Sequence, residues 1–110
     1  MTALEQQRRS EVAPAFDLRS LSMFVTVVEQ GSFTRAAAAL EVTTACVSLQ
    51  IKRLERALGA QLLRRHAHGL VLTPDGDRLL PAARRMLALN AELMRDWPDA
   101  TGRAVAAIAA

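Results

Sequence analysis

The chain has little cysteine and few aromatic side chains, and it contains no long apolar run. One Cys among 110 residues excludes a disulfide framework and fits a reducing compartment. The lack of any run of about 18 apolar residues excludes a transmembrane helix. The first residues also lack the apolar segment of a secretory signal. These absences predict a cytoplasmic protein that has no membrane partner.

Catalytic chemistry also has little support in the sequence. No set of nucleophilic and proton-transferring side chains can be assembled into an active site, so we expect no enzyme and no cofactor. Cys46, His66 and His68 are candidate metal ligands, but they lack a recognisable spacing. We therefore predict no metal site and interpret Cys46 as a small buried packing residue rather than a redox switch.

Positive charge is concentrated in one part of the chain. Residues 33–72 hold six cations and two anions, whereas the remainder holds eight cations and nine anions. This excess is expected of a segment that contacts phosphates. A solvated basic face explains the charge equally well, so charge alone does not decide between them.

Hydrophobic spacing and capping residues predict one mainly α-helical domain with an appended helix. We expect helices over residues 17–30, 33–40 and 44–58, strands over 61–65 and 70–72, and a last helix from Pro74 to about Trp97. Three helices followed by a two-stranded hairpin form a winged helix-turn-helix. The predicted organisation is a flexible N-terminal extension (1–15), a winged helix-turn-helix domain (16–73, with the helix-turn-helix at about 33–52), a linker or dimerisation helix (74–98) and a tail (99–110).

The third predicted helix has two different sides. Val47, Ile51, Leu54 and Leu58 follow an i, i+4, i+7, i+11 spacing and line an apolar side. The other side carries short or mildly basic residues, as a helix in a DNA major groove requires: Thr44, Ala45, Ser48, Leu49 and Lys52.

The last predicted helix carries a heptad pattern over roughly three repeats, which favours a dimer seam. Its members are Leu79, Leu80, Ala83, Met86, Leu87, Asn90, Leu93, Met94 and Trp97. The alternative is that this stripe packs against its own chain. We prefer the dimer because so small a domain has little apolar surface left to receive it.

From Phe16 to about Trp97 the chain resembles the N-terminal DNA-binding domain of LysR-type transcriptional regulators. The match is carried by Phe16-Asp17-Leu18-Arg19, Phe24-Val25, Gly31-Ser32-Phe33-Thr34-Arg35-Ala36-Ala37, Val47-Ser48-Leu49-Gln50-Ile51, Leu54-Glu55, Leu58-Gly59, Leu62-Leu63, Arg65, Leu72-Thr73-Pro74 and Gly76. The resemblance implies sequence-specific binding to double-stranded operator DNA by a homodimer or a dimer of dimers. It also implies a small-molecule inducer that acts through a domain absent from this chain. The chain is either a DNA-binding fragment or a naturally short regulator, and the position of its end favours the fragment.

The resemblance also implies the roles of individual residues. Thr43, Thr44 and Ser48 would bond phosphates or base edges, and Ala45 would touch a thymine methyl. Phosphate contacts would come from Arg35, Lys52, Arg53 and Arg65, and Thr34 belongs to the same predicted surface. Leu49 stands where many members have arginine, and Thr44 where many have glutamine. These departures predict readout that depends more on methyl contact and DNA shape.

His68 stands where the family commonly has a basic residue at the tip of the wing, inserted into the minor groove. We expect DNA affinity to rise as the pH falls towards about 6, where histidine gains a proton.

Two other functions remain open. The related winged domain of molybdate-responsive regulators is one, although the SFTRAA and LTP segments favour the LysR type. The other is a protein-interaction module that pairs with other regulators through its last helix without binding DNA.

Overall fold

The computed structural model describes residues 2–3 and 16–98. Within them lie four helices and one hairpin: α1 (Leu18–Gln30), α2 (Phe33–Leu40), α3 (Thr44–Leu58), β1 (Leu63–His66), β2 (Gly69–Leu72) and α4 (Pro74–Asp96). This arrangement confirms the predicted mainly α winged helix-turn-helix followed by a long helix. The predicted tail lies outside the described residues, as does nearly all of the predicted N-terminal extension.

Each helix begins at a polar residue whose side chain accepts a hydrogen bond from a backbone N–H three positions later. These N-caps are Asp17, Ser32, Thr43 and Thr73. Each cap satisfies one of the backbone donors that a helix start leaves without an intrahelical partner. The caps therefore fix where the helices begin, and all four starts lie within one residue of the prediction from sequence.

The turn between α2 and α3 is tight because Glu41 adopts the left-handed conformation, with φ of 57°. Its backbone N–H bonds back to the carbonyls of Ala37 and Ala38, which closes the end of α2. The small side chains of α2 contribute Ala36 and Ala37 to the core, so α2 and α3 approach closely. This turn sets the angle between α2 and α3.

The core lies between α1, α2, α3 and the first half of α4. Its largest fully buried side chains are Phe24, Leu21, Leu54, Leu62, Val27 and Val47. Burying side chains of this size contributes about 1.5–3 kcal/mol each relative to leaving them exposed. One apolar side of α3 is thus held firmly to the domain.

The wing is an antiparallel pair in which Leu63 faces Leu72 and His66 faces Gly69. Its strands differ by one or two residues from the predicted 61–65 and 70–72. Gln61 and Leu62 precede the strand because other parts of the chain take up their backbone groups. The Leu62 N–H donates to Glu55 Oε2 at 2.8 Å, and the Gln61 carbonyl accepts a hydrogen bond from the Thr73 hydroxyl.

Gly76, in the first turn of α4, allows the helix to approach the segment that leads into the wing. A Cβ at this position would lie 2.1 Å from the Leu62 carbonyl oxygen and 2.9 Å from Leu72 Cδ2. The Thr73 N–H also donates to the Leu62 carbonyl at 3.0 Å. The start of α4 is therefore locked to the wing.

The apolar residues that α4 exposes to solvent are not the same set as the heptad residues predicted from the sequence. Ala83 is 0% exposed, and the half-buried Leu80 and Leu87 pack against the same core. The assignment of Ala83 to a dimer surface is corrected by its burial, because its side chain packs inside its own domain. The exposed apolar residues Met86, Leu89 and Leu93 follow a spacing of three and four and form what we call the outward seam. The half-buried Leu79, which the sequence assigned to the dimer surface, packs against the core instead.

Leu89 lies on this seam and is 65% exposed, although the sequence-based assignment omitted it.

No helix within the described part of the chain is both long and apolar enough to cross a membrane.

Candidate nucleic-acid interface

The two sides of α3 differ in the structure as their composition predicts. Val47, Ile51 and Leu54 are buried in the core. The opposite side, which we call the outer side of α3, is exposed except for the half-buried Ser48; it consists of Thr44, Ala45, Ser48, Leu49, Lys52, Arg53 and Arg56. The protein itself leaves this surface open to a partner.

Leu58 departs from the predicted apolar side, since it is 39% exposed. It is the last residue of α3, where Gly59 turns the chain away from the core. Its side chain borders a notch shared with Leu62 and Leu79 instead of being covered by the domain.

The N-terminus of α3 points its capping residues outward. Thr43 and Thr44 are both exposed, and Thr43 Oγ1 accepts a hydrogen bond from the Cys46 N–H at 3.0 Å. The Thr43 hydroxyl therefore still has its hydrogen to donate to a phosphate oxygen. The first backbone N–H groups of a helix and its dipole also favour an anion at this end. Cys46 is half-buried rather than buried, which differs from the packing residue predicted from the sequence.

Shallow grooves between the helices and the wing bring several predicted site residues together. Ser48, Lys52 and Arg65 line the groove between α3 and β1. Thr34, Thr44 and Arg65 line a second groove that also includes the start of α2. Arg65 lines both grooves, together with hydroxyl groups from α2 and α3 and the ammonium of Lys52; Glu55 also lines the first groove.

Arg65 is held in this position by the ring of Phe33. Its guanidinium carbon lies 5.1 Å from the ring centroid, within the range of a cation–π contact. No ion pair of Arg65 is found in the described residues, so no carboxylate there neutralises its guanidinium. Phe33 was not assigned a site role from the sequence, because Phe33 and Arg65 are far apart along the chain and no local pattern connects them.

The remaining predicted cations lie around this centre rather than in it. Arg35 is exposed on α2, and Arg53 lines a separate pocket with Asp17 and Gln50 near the start of α1. Arg56 was not assigned to the site. Its position seven residues after Leu49 and its exposure place it on the outer side of α3.

His68 lies exposed in the two-residue loop of the wing. Its ring centroid is 6.0 Å from that of His66, with the rings tilted by 33°. Within the described residues no group of three or more His, Cys, Asp and Glu side chains could hold a metal ion.

One carboxyl group near this surface has a perturbed pKa. The Ser20 N–H and hydroxyl both donate to Asp17 Oδ1 at 2.8 Å, and these hydrogen bonds lower the pKa of the Asp17 carboxyl. Asp17 is thus held in its charged form as the N-cap of α1. The Ser20 hydroxyl also lies 3.3 Å from Gln50 Oε1, which connects this cap to α3.

An exposed helix framed by cations, a tight helix-turn-helix and a basic wing define a winged helix-turn-helix domain of the DNA-binding class. The comparison with known families agrees with this description. The model for bacterial regulatory helix-turn-helix proteins of the lysR family matches residues 18–77. The chain belongs to the LysR family of transcriptional regulators, and residues 18–77 form its helix-turn-helix DNA-binding domain.

Similar proteins are regulators of the same family. The chain is 48% identical over 73 residues to the HTH-type transcriptional regulator CfxR of Cupriavidus necator, covering 66% of this chain and 23% of that protein. It is 46% identical over 68 residues to the HTH-type transcriptional activator AmpR of Rhodobacter capsulatus, covering 62% of this chain and 24% of that protein. The chain thus spans about a quarter of the length of these relatives.

Solved structures show the same fold. The DNA-binding domain of BenM, in a complex with catB site 1 DNA, matches with a TM-score of 0.69 and 38% identity over 72% of this chain and 89% of that chain. CbnR, a LysR family transcriptional regulator, matches with a TM-score of 0.72 and 34% identity over 76% of this chain and 29% of that chain.

Proposed function

We propose that this chain binds specific sequences of double-stranded DNA by inserting the outer side of α3 into the major groove. The observation that carries the proposal is that this side is exposed while the opposite side is buried in the core. An α-helix fits the major groove, where each base pair presents a distinct pattern of donors, acceptors and methyl groups. The relatives named above are transcriptional regulators, which supports the same function for this chain.

Phosphate contacts would position the helix, and α3 would read the bases. Lys52 and Arg65 are expected to bind the backbone on the wing side, with Arg53 and Arg56 binding on the opposite edge. Thr34 and Arg35 at the start of α2, and Thr43 at the start of α3, would add further backbone contacts. Thr44, Ala45, Ser48 and Leu49 are then left to face base edges, and His68 would lie against the minor groove.

The proposal can be tested with a Ser48→Glu variant on DNA sites selected by the wild-type chain from a randomised duplex pool. A carboxylate at this half-buried position would face phosphates and base acceptors, so we expect binding to be abolished. The matched control is Ala88→Glu, which adds the same charge at an exposed position of α4 on the side opposite the outward seam. Circular dichroism and thermal unfolding establish that both variants remain folded.

The proposal fails if no duplex is enriched. It also fails if Ser48→Glu binds the selected DNA as tightly as the wild type and the Ala88→Glu control do. Salt-dependent binding to duplex DNA also separates this function from a protein-interaction module that does not bind DNA. For a chain that binds DNA, the logarithm of the affinity falls linearly with the logarithm of the salt concentration.

The functional unit is proposed to be a homodimer paired through the outward seam of α4. Met86, Leu89 and Leu93 are 43%, 65% and 52% exposed, a large apolar surface for one side of a helix. A spacing of three and four residues is the pattern by which two helices pack as a coiled coil. Asn90, Met94 and Trp97 lie next to the far half of the seam and would contribute to its edge.

Pairing can be tested with Leu89→Glu, measured by sedimentation equilibrium over a range of concentrations. We expect the wild type to dimerise and Leu89→Glu to remain monomeric, because the glutamate places a charge in the seam. Ala88→Glu should dimerise like the wild type. A monomeric wild type, or a Leu89→Glu variant that dimerises equally well, would contradict the pairing.

The operator, a higher assembly into a dimer of dimers and a response to a small-molecule inducer concern the longer regulators that this chain resembles. We propose that a regulator containing this domain acts in the cytoplasm, and that any inducer acts through a part of the protein outside this chain. The half-site spacing in the selected DNA would report the symmetry of the dimer.

A further inference from the structure

Leu49 is an exposed apolar side chain in the middle of the DNA-facing surface. It is 48% exposed, and it belongs neither to the core nor to the half-buried side chains that pack against the core. Ala45, exposed one turn earlier, lies next to it on the same side of α3. Together they form a small apolar spot that the domain itself does not cover.

The surroundings of this spot are polar and positively charged on both sides. Ser48 and Lys52 line the groove towards the wing, and Arg53 and Arg56 line the pocket towards the start of α1. A surface with cations at its edges and an apolar centre is complementary to the major groove. The walls of that groove are phosphates, and the only apolar group on its floor is the methyl group at C5 of a pyrimidine.

We propose that Ala45 and Leu49 form a reader of pyrimidine C5-methyl groups and make this contact a main source of sequence preference. The inference rests on the proposed function, since it requires α3 to lie in the major groove. Leucine has neither a donor nor an acceptor, so it gains affinity only by covering an apolar group. It leaves the amino group of an unmodified cytosine without a partner, so cytosine is disfavoured at the same position.

Two bases carry this methyl group, thymine and 5-methylcytosine. Uracil has the same hydrogen-bonding edge as thymine and lacks only the methyl group, so a thymine-to-uracil replacement isolates the contact. Burial of one methyl group corresponds to about a four-fold change in affinity. A dimer makes this contact in two half-sites, so replacing the contacted thymine by uracil in both half-sites would change the affinity about fifteen-fold.

The experiment measures the affinity of the wild type, Leu49→Ala and Leu58→Ala for a selected duplex and for derivatives with single thymines replaced by uracil. We expect one or two positions at which the wild type loses about four-fold and Leu49→Ala loses less than about two-fold. Leu58→Ala is the matched control, because it makes the same change in the same helix at another exposed leucine. It should retain the wild-type sensitivity to uracil.

A second arm places cytosine or 5-methylcytosine, each paired with guanine, at the sensitive positions. The wild type should bind the methylated form about four-fold more tightly than the unmethylated form. Tighter binding of the thymine duplex than of the 5-methylcytosine duplex identifies thymine as the natural source, and the reverse order identifies methylated DNA. Both results support a methyl reader.

The inference is overturned if the wild type binds DNA specifically but is insensitive to uracil at every position and to methylation of cytosine. It is also overturned if Leu49→Ala and Leu58→Ala retain equal sensitivity. Failure of the proposed function looks different, because then no duplex is bound specifically even before any methyl group is removed.

Discussion

Replacing Lys52 with methionine tests whether the cations of α3 contact DNA phosphates. Lys52 is exposed on the outer side of α3, and it makes no ion pair within residues 2–3 and 16–98. Methionine keeps much of the length and apolar stem of lysine but removes its charge. The fold should be unaffected, since the side chain contributes nothing to the core.

The size of the effect follows from counterion release. Each phosphate neutralised on double-stranded DNA contributes about −0.9 to the slope of log affinity against log salt. One contact in each of two protomers should therefore make the slope shallower by about 1.8. At about 0.15 M salt this difference corresponds to roughly thirty-fold weaker binding.

The assay is fluorescence anisotropy with a selected duplex, titrated from about 0.05 to about 0.5 M salt, a range over which the slope is well defined. Arg84→Met is the control, because it removes the same charge from α4, where Arg84 Nη2 lies 3.8 Å from Glu29 Oε1. Its slope should match that of the wild type. The assignment of Lys52 to a phosphate would be refuted if the wild type and both variants had equal slopes. It would also be refuted if Lys52→Met and Arg84→Met made the slope shallower by the same amount.

Four further predictions concern the fold, the site and its dependence on pH. Gly76→Ala should lower stability by about 2–3 kcal/mol and the Tm by about 10 °C in thermal unfolding, because the added Cβ would overlap a backbone carbonyl; an unchanged Tm would exclude the close contact. Phe33→Leu should weaken DNA binding about three-fold by removing the ring under Arg65, and it should have no further effect in an Arg65→Ala background. Because the pKa of Asp17 lies below its ordinary value of 3.8, its charged form stabilises the folded chain above that pH, and this contribution is lost as the pH falls through the folded-state pKa. Asp17→Asn should therefore be less stable than the wild type in urea unfolding at about pH 7, and this difference should shrink at about pH 3; a difference that stays the same at both pH values would show that the carboxylate is not responsible. Finally, wild-type DNA affinity should rise as the pH falls towards about 6, and His68→Ala should flatten this response; equal pH slopes would remove the wing histidine from the interface.

The local features of this fold could be predicted from sequence because each is set by residues close together in the chain. The caps at Ser32 and Thr43, and the glycines that end α1 and α3, act within a few positions of themselves. Apart from Leu58 at its end, the two sides of α3 also follow from spacing. Periodicity therefore predicts which surface of α3 is exposed without reference to tertiary contacts.

The orientation of α4 could not be predicted in the same way. Apolar residues occur on most sides of this helix, so the heptad pattern did not decide whether Leu80 and Ala83 or Met86 and Leu89 face the core. Packing against the first three helices makes that choice. The stacking of Arg65 on Phe33 depends likewise on how the wing folds back, which local sequence does not encode.

The close contact at Gly76 has a mechanical consequence. Together with the hydrogen bonds of Thr73 and Glu55, it joins the wing, the end of α3 and the start of α4 into one stiff body. The 23 residues of α4 then act as a lever about 34 Å long. A torque applied at its far end would swing α3 and the wing as a single unit, so the angle between two bound half-sites could change without any hinge inside the domain.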